Sequence, residues 1–156
     1  MYQTILVPMD GSKRAEAILG HVEEIAKSND ATLIFLKVEE EPIMLERDEV
    51  IDIGKYHEAF VKQIALSQGY LDDLQARFNE KEIDADTKLA HGSVVKAILN
   101  TAAETGTDLI AMATHGLSGL ARVSYGSVAA GVLQAADIPI LLIRSGDDKK
   151  EETFGS

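Results

Sequence analysis

The chain contains no cysteine. That absence excludes disulfide scaffolds, thiolate catalysis, cysteine-ligated zinc and iron–sulfur clusters, and it fits a reducing compartment. Positive charge is scarce: Lys and Arg number 15 against 26 Asp and Glu, a net charge of −11 at pH 7. Nonspecific nucleic-acid binding and attachment to anionic membranes both need surplus basic side chains, so neither is expected. Long hydrophobic runs are missing too. The longest, Leu109 to Ala113 and Ile138 to Ile143, are far too short to cross a bilayer. Met1-Tyr2-Gln3-Thr4 passes straight into an apolar run, with neither the basic n-region nor the long h-region of a leader. What is present is 156 residues, 46% of them hydrophobic, enough for one domain to bury a core without disulfide or structural metal. The expectation is a soluble, acidic, cytoplasmic single domain.

Five short segments rich in branched apolar residues alternate with helical periodicity. They are Thr4 to Asp10, Thr32 to Val38, a weaker one from Asp84 to Ala90, Asp108 to Ala113, and Ile138 to Ile143. All but the third are nearly continuous apolar runs, as in strands buried on both faces of a parallel sheet. Between them, Ala15, Ile18, Leu19, Val22, Ile25 and Ala26 repeat at the spacing of one helix face. Phe60, Ile64, Leu71, Leu74 and Phe78 do the same within a segment from Glu49 to Glu80 that Gly54 and Gly69 interrupt. Val94, Val95, Ile98, Leu99, Ala102 and Ala103 mark a third helix closed by Gly106; Val128, Val132, Leu133 and Ala136 mark a fourth, stopped ahead of Pro139. The order β-α-β-α-β-α-β-α-β predicts a doubly wound five-stranded parallel α/β sheet. Glu39-Glu40-Glu41-Pro42 opens an irregular surface connection, and residues 145–156 form a charged tail beyond a domain of residues 1–144.

Open parallel sheets bind ligands beyond the carboxyl ends of their strands, where successive connections leave in opposite directions. Two strand ends here carry unusual sequence: Pro8-Met9-Asp10-Gly11-Ser12 after the first, and Ala113-Thr114-His115-Gly116-Leu117-Ser118-Gly119, followed by Gly126-Ser127, after the fourth. Ser127 reads as the N-cap of the fourth helix, whose first amides point outward at the positive end of the dipole. Gly116 and Gly119 let backbone approach a ligand with no Cβ in the way. Together these residues predict an anion nest of main-chain amides. It is not a P-loop, because neither Gly-x-x-x-x-Gly-Lys-Ser/Thr nor Gly-x-Gly-x-x-Gly occurs. Without a P-loop lysine, neutralisation falls to backbone N–H groups, a divalent cation and Arg122.

This constellation resembles the universal stress protein family, in particular its ATP-binding branch. The branch motif, Gly, two residues, Gly, nine residues, then Gly-Ser/Thr, is matched by Ala113-Thr114-His115-Gly116, the nine residues Leu117 to Tyr125, and Gly126-Ser127. Alanine replaces the first glycine. The strand-one ending Pro-x-Asp-Gly-Ser and the His91-Gly92 loop after strand three are similar as well. The resemblance implies strand order 3-2-1-4-5 and an ATP site that takes Mg²⁺ or Mn²⁺ with the nucleotide. It places Pro8, Met9 and Asp10 along the nucleoside, with Asp10 on ribose or a metal, and Val38 on adenine through its backbone. Met112, Ala113, His115 and Gly116 would pass beside ribose and phosphates, while Gly126, Ser127 and Val128 would cradle the phosphate chain.

Simpler roles compete with these. Asp10 at a strand-end turn serves equally as a cap, although the matching second loop favours a ligand role. His115 has no triad partner by sequence, and His21, His57 and His91 lack metal-type spacing. Ser118, Ser124 and Ser127 lack the Gly-x-Ser-x-Gly elbow of hydrolases. A regulatory nucleotide-binding module with at most slow hydrolysis is therefore favoured over an ATP-consuming enzyme, since no positioned base or nucleophile is marked. Strand five, at a sheet edge, is apolar over Ile138 to Ile143, and pairing with a second copy would cover it, as the resemblance also implies.

Overall fold

The structure, a computed structural model, describes residues 1–40, 53–115 and 126–145, with Ile53 and His115 described by their backbone. The strands are β1 (Thr4–Met9), β2 (Thr32–Glu39), β3 (Ala85–His91), β4 (Leu109–His115) and β5 (Ile140–Ser145). The helices are α1 (Leu19–Asn29), entered through a 3-10 turn at Ala15–Ile18, α2 (Ile53–Glu80), α3 (Val94–Thr105) and α4 (Ser127–Ala135). All five strands are parallel, in the order β3-β2-β1-β4-β5. The doubly wound sheet is as expected.

Side chains alternate across the sheet, so each apolar run feeds two cores. Ile5, Val7, Leu33 and Phe35 meet α1 and α2, with Phe35 and Phe78 ring centroids 5.0 Å apart. Leu6, Ile34, Leu36, Ile110 and Met112 meet Ile98 of α3 and Ala129 and Val132 of α4. Burial on both faces removes the polar face that a half-exposed strand would show. Truncating a buried aromatic such as Phe35 to Ala costs about 3–5 kcal/mol.

Helix ends follow local chemistry. The Ser93 hydroxyl accepts from Lys96 N at 3.4 Å to cap α3, and Gly106 closes that helix at φ 67°. α1 ends on Asp30 at φ 53°. α2 runs unbroken through Gly69, which faces open space. The expected start of this helix at Glu49 and the connection through Glu41 and Pro42 lie outside the described residues.

Three expectations need correction. Leu133, placed on the apolar face of α4, is 42% exposed; Ala129 and Val132 form the buried stripe, and Leu133 lies one residue off it. Ser145, assigned to the tail, closes β5, and its buried hydroxyl donates to the Thr114 carbonyl at 3.3 Å. The fifth strand begins at Ile140, not Ile138, two residues later than its apolar composition indicates.

Candidate functional site

The β1–β4 ladder is short, running over Ile5↔Leu109 and Leu6↔Ile110. Pro8, which has no N–H to donate, follows two residues later. Beyond that point β1 turns to α1 on one face, while β4 leads toward α4 on the other. A cleft of about 370 Å³ opens there. Leu36, Val38 and Met112 contribute apolar surface from the sheet, with Val94 and Ile98 from α3 and Val128 and Ala129 from α4. Pro8, Met9, Asp10, Ala15, Glu40, Ala113, Thr114, Gly126 and Ser127 complete it. Apolar walls with a few convergent polar groups, at this volume, suit a small-molecule ligand.

Nine of the twelve predicted residues line this cleft: Pro8, Met9, Asp10, Val38, Met112, Ala113, Gly126, Ser127 and Val128. His115 ends β4 on its backbone, its side chain lying outside the described residues, as do Gly116, Gly119 and Arg122. Glu40, Ala15 and Thr114 also line the cleft, although the sequence places Ala15 on a helix face and Glu40 in a surface connection and gives none of the three a part in ligand binding. Of these, only Thr114 belongs to the strand-four motif.

The turn into α4 differs from expectation. Gly126, not Ser127, is the N-cap, extended at φ −59° and ψ 160°, and no side chain caps the helix. Ala130 N donates to Gly126 O at 3.0 Å, and Gly126 N donates to Thr114 Oγ1 at 3.2 Å. Ser127 is thereby moved to the first helical position. Thr114 Oγ1 takes up the amide of the N-cap residue from across the fold and leaves the amides inside the first turn uncapped. The first-turn amides of α4 have no intrahelical acceptor and sit at the positive end of the helix dipole, beside the cleft.

On the opposite wall Asp10 forms a tight turn. Its Oδ1 accepts from Ser12 N at 2.8 Å and from Ser12 Oγ at 2.6 Å, while Ser12 Oγ accepts from Ala15 N at 3.1 Å. Gly11 between them takes φ 85°, a conformation that disfavours any residue with a Cβ. Asp10 therefore closes the turn ahead of the 3-10 segment, whose first amide goes to Ser12, and it also lines the cleft. Glu40 is the second carboxylate there, and among the described residues no lysine, arginine or histidine lines the cleft. Nor do three or more His, Asp or Glu residues gather as a metal site among the described residues.

Behind this wall Lys37 and Glu39 form an ion pair at 2.9 Å, each side chain 12% exposed, with Lys37 Nζ also 2.9 Å from Ser67 Oγ. Burial pushes the Glu39 carboxyl up, but hydrogen bonds from Lys37 and Ser67 and the Lys37 charge outweigh it, leaving the group below its ordinary range. Lys37 Cε lies 3.6 Å from where a Cβ on Gly11 would stand, which puts the pair beside the Asp10 turn. His91 packs its ring 6.1 Å from that of Phe60, and His21 and His57 are exposed.

A second hollow, of about 460 Å³, lies at the other end of the sheet between the C-termini of α3 and α4, beside Asp137. Carbonyl ends and a carboxylate make that end negative, the wrong polarity for an anion. The cleft at the strand carboxyl ends is the better candidate despite its smaller volume.

A doubly wound parallel sheet with a ligand-sized cleft at its switch point defines the open-sheet class of α/β domains that bind ligands beyond the strand carboxyl ends. Within that class, residues 1–144 match the model of the universal stress protein family, and the chain belongs to that family. Universal stress protein YxiE of Bacillus subtilis is 31% identical over 149 residues, covering 92% of this chain and all of that one. The solved structure of MJ0577, a universal stress protein of Methanocaldococcus jannaschii, superposes with a TM-score of 0.78 at 24% identity, covering 95% of this chain and 99% of that one. A universal stress protein from Archaeoglobus fulgidus, solved in complex with dAMP, gives 0.63 at 19% identity, covering 91% of this chain and 98% of that one.

Proposed function

We propose that the cleft binds an adenine nucleotide, with ATP the ligand that places this chain in the ATP-binding branch of its family. The observation that carries this reading is the N-terminus of α4 opening onto an apolar-walled cleft at the β1–β4 switch point. Adenine is flat and weakly polar, and it fits the side made by Leu36, Val38, Val94 and Ile98. The phosphates belong at the other side, on the amides of Ser127, Val128 and Ala129. Asp10 and Glu40 place negative charge in the same cleft, so a triphosphate needs a divalent cation to enter. With no ready cluster of ligands among the described residues, Mg²⁺ or Mn²⁺ would arrive on the nucleotide, with Asp10 the carboxylate placed to meet it. The dAMP complex of a family member supports the adenine assignment.

Equilibrium dialysis of labelled ATP and AMP, with and without Mg²⁺, tests the proposal. Saturable uptake is expected, with ATP strengthened by the metal; no saturable uptake at millimolar nucleotide overturns it. A main-chain cradle chiefly supplies binding, which favours a regulatory module over an ATP-consuming enzyme. Sustained turnover of order ten per second would reverse that preference. The module acts in the cytoplasm as a homodimer paired through β5, which runs uncharged from Ile140 through Ile143 before Arg144, whereas the edge strand β3 carries Asp86 and Lys88 in its middle. Light scattering giving the mass of a single chain would refute the dimer.

A further inference from the structure

We propose that Thr114 is a positioning residue that sets the phosphate-facing turn of the cleft. The inference rests on the nucleotide reading above and adds a residue to it. Thr114 is 6% exposed and is bonded through two different atoms. Its Oγ1 accepts the Gly126 N–H at 3.2 Å, across 12 residues of chain. Its carbonyl accepts the Ser145 hydroxyl at 3.3 Å, across 31. One residue thus joins the end of β4, the end of β5 and the first residue of α4's cap.

Two consequences follow for the ligand. The amide of Gly126 is taken by the threonine and leaves the set of donors open to an anion, so that set begins at Ser127. The same bond holds Gly126 extended at ψ 160°, and that dihedral decides where the next three amides point. A hydroxyl has one proton and two lone pairs. Gly126 uses a lone pair, which leaves the proton for a phosphate oxygen, and Thr114 lines the cleft from which that oxygen would come. The β-branched side chain has few χ1 states to choose from, so the acceptor is held in place before the ligand arrives.

The role predicts a split between ligands. Adenosine touches the apolar side and does not depend on the turn, whereas AMP and ATP do. Calorimetric titration of wild-type, Thr114→Val and Thr114→Ser proteins with adenosine, AMP and Mg²⁺–ATP reads the split directly. Loss of one hydrogen bond to a charged group predicts that Thr114→Val binds AMP and ATP about tenfold more weakly than wild type. Adenosine affinity is unchanged in that variant, and Thr114→Ser recovers the phosphate-bearing ligands. Amide exchange at Gly126 accelerates in Thr114→Val with no ligand present. The proposal is overturned if Thr114→Val binds AMP and ATP as wild type does, or loses adenosine by the same factor. A wild-type protein that binds adenosine but neither phosphorylated ligand also overturns it. Failure of wild type to bind any of the three instead refutes the nucleotide reading itself.

Discussion

The seam between α3 and α4 offers the sharpest test of the packing beside the cleft. Gly131 lies inside α4 with Val95 of α3 directly against it. A Cβ built on Gly131 would stand 2.8 Å from Val95 Cγ2, 3.2 Å from Cγ1 and 3.6 Å from Cβ. Two effects oppose each other in Gly131→Ala. Replacing glycine in a helix interior contributes about 1 kcal/mol of stability. Overpacking against a stiff, β-branched neighbour costs about 1–3 kcal/mol, because Val95 has a single χ angle and nowhere to swing without leaving its rotamer. The overlap wins, and Gly131→Ala is expected to lose about 1 kcal/mol net. At this chain length that is a fall of about 2–4 °C in Tm.

Val95→Ala removes both overlapping methyl groups and leaves only the ordinary 3.6 Å contact. In that background Gly131→Ala should stabilise, by up to about 1 kcal/mol, since only the helix propensity remains. A double-mutant cycle in urea therefore predicts a change of sign, not merely of size. Additivity to within about 0.5 kcal/mol would show that the helices do not meet at this depth. Val94 and Ile98 on α3, and Val128 and Ala129 three and two residues before Gly131 on α4, line the cleft, so the seam also sets the width available to a ligand.

The other predictions concern charge. Lys37→Met leaves the Glu39 carboxylate without its cation in a site where both side chains are 12% exposed, and is expected to cost about 3 kcal/mol by chemical denaturation. Glu39 sits below its ordinary value of 4.5, so its contribution is present above that pH and lost as pH falls; in Lys37→Met the acid-unfolding midpoint moves upward. Lys37→Met/Glu39→Leu recovers most of the loss. Burial first, then the Glu16 and Asp10 carboxylates, push the Tyr70 hydroxyl from 10.0 up to about 12. Its contribution is therefore whole below pH 10.0 and is lost on approach to about pH 12, so Tyr70→Phe should lose less stability across that window, and a component titrating near pH 12 should vanish from its tyrosinate absorbance curve. Asp10→Ala removes the acceptor for Ser12 and lowers stability by about 1 kcal/mol. Asp10→Asn keeps that acceptor and the melting temperature, yet weakens Mg²⁺–nucleotide binding; equal nucleotide affinity in Asp10→Asn would leave Asp10 a turn residue only.

Strands were legible wherever burial on both faces removed polar residues from the pattern. β1, β2 and β4 carry that signature, and it gave their positions to within two residues at each end. β3 was the weaker signal because it is an edge strand with Asp86 and Lys88 in its middle, and its seven-residue register with β2 is what makes it a strand. The fourth helix was misread in detail because its sequence, Ser-Val-Ala-Ala-Gly-Val-Leu-Gln-Ala, is apolar nearly all round. Periodicity has little contrast there, and packing against α3 and the sheet, not composition, decides that Ala129 and Val132 face inward while Leu133 does not.

The cleft itself was readable for a related reason. A site built from main-chain amides must keep side chains away, and small residues at fixed offsets after two strands are the trace of that requirement. Hydrogen bonds made across the fold leave no such trace. Ser127 next to a glycine looks like a local cap, and nothing nearby in the chain says that Gly126 is the N-cap and that its amide is held by a threonine on β4. Charge sharpens the point. With Asp10 and Glu40 facing in and no cationic side chain among the described lining residues, electrostatics alone would expel a phosphate. Among the described residues, what remains to attract one is oriented amides and a metal carried by the ligand. Affinity then depends less on ionic strength than on the angle at which α4 leaves Gly126, and that angle is held by the Thr114 hydroxyl.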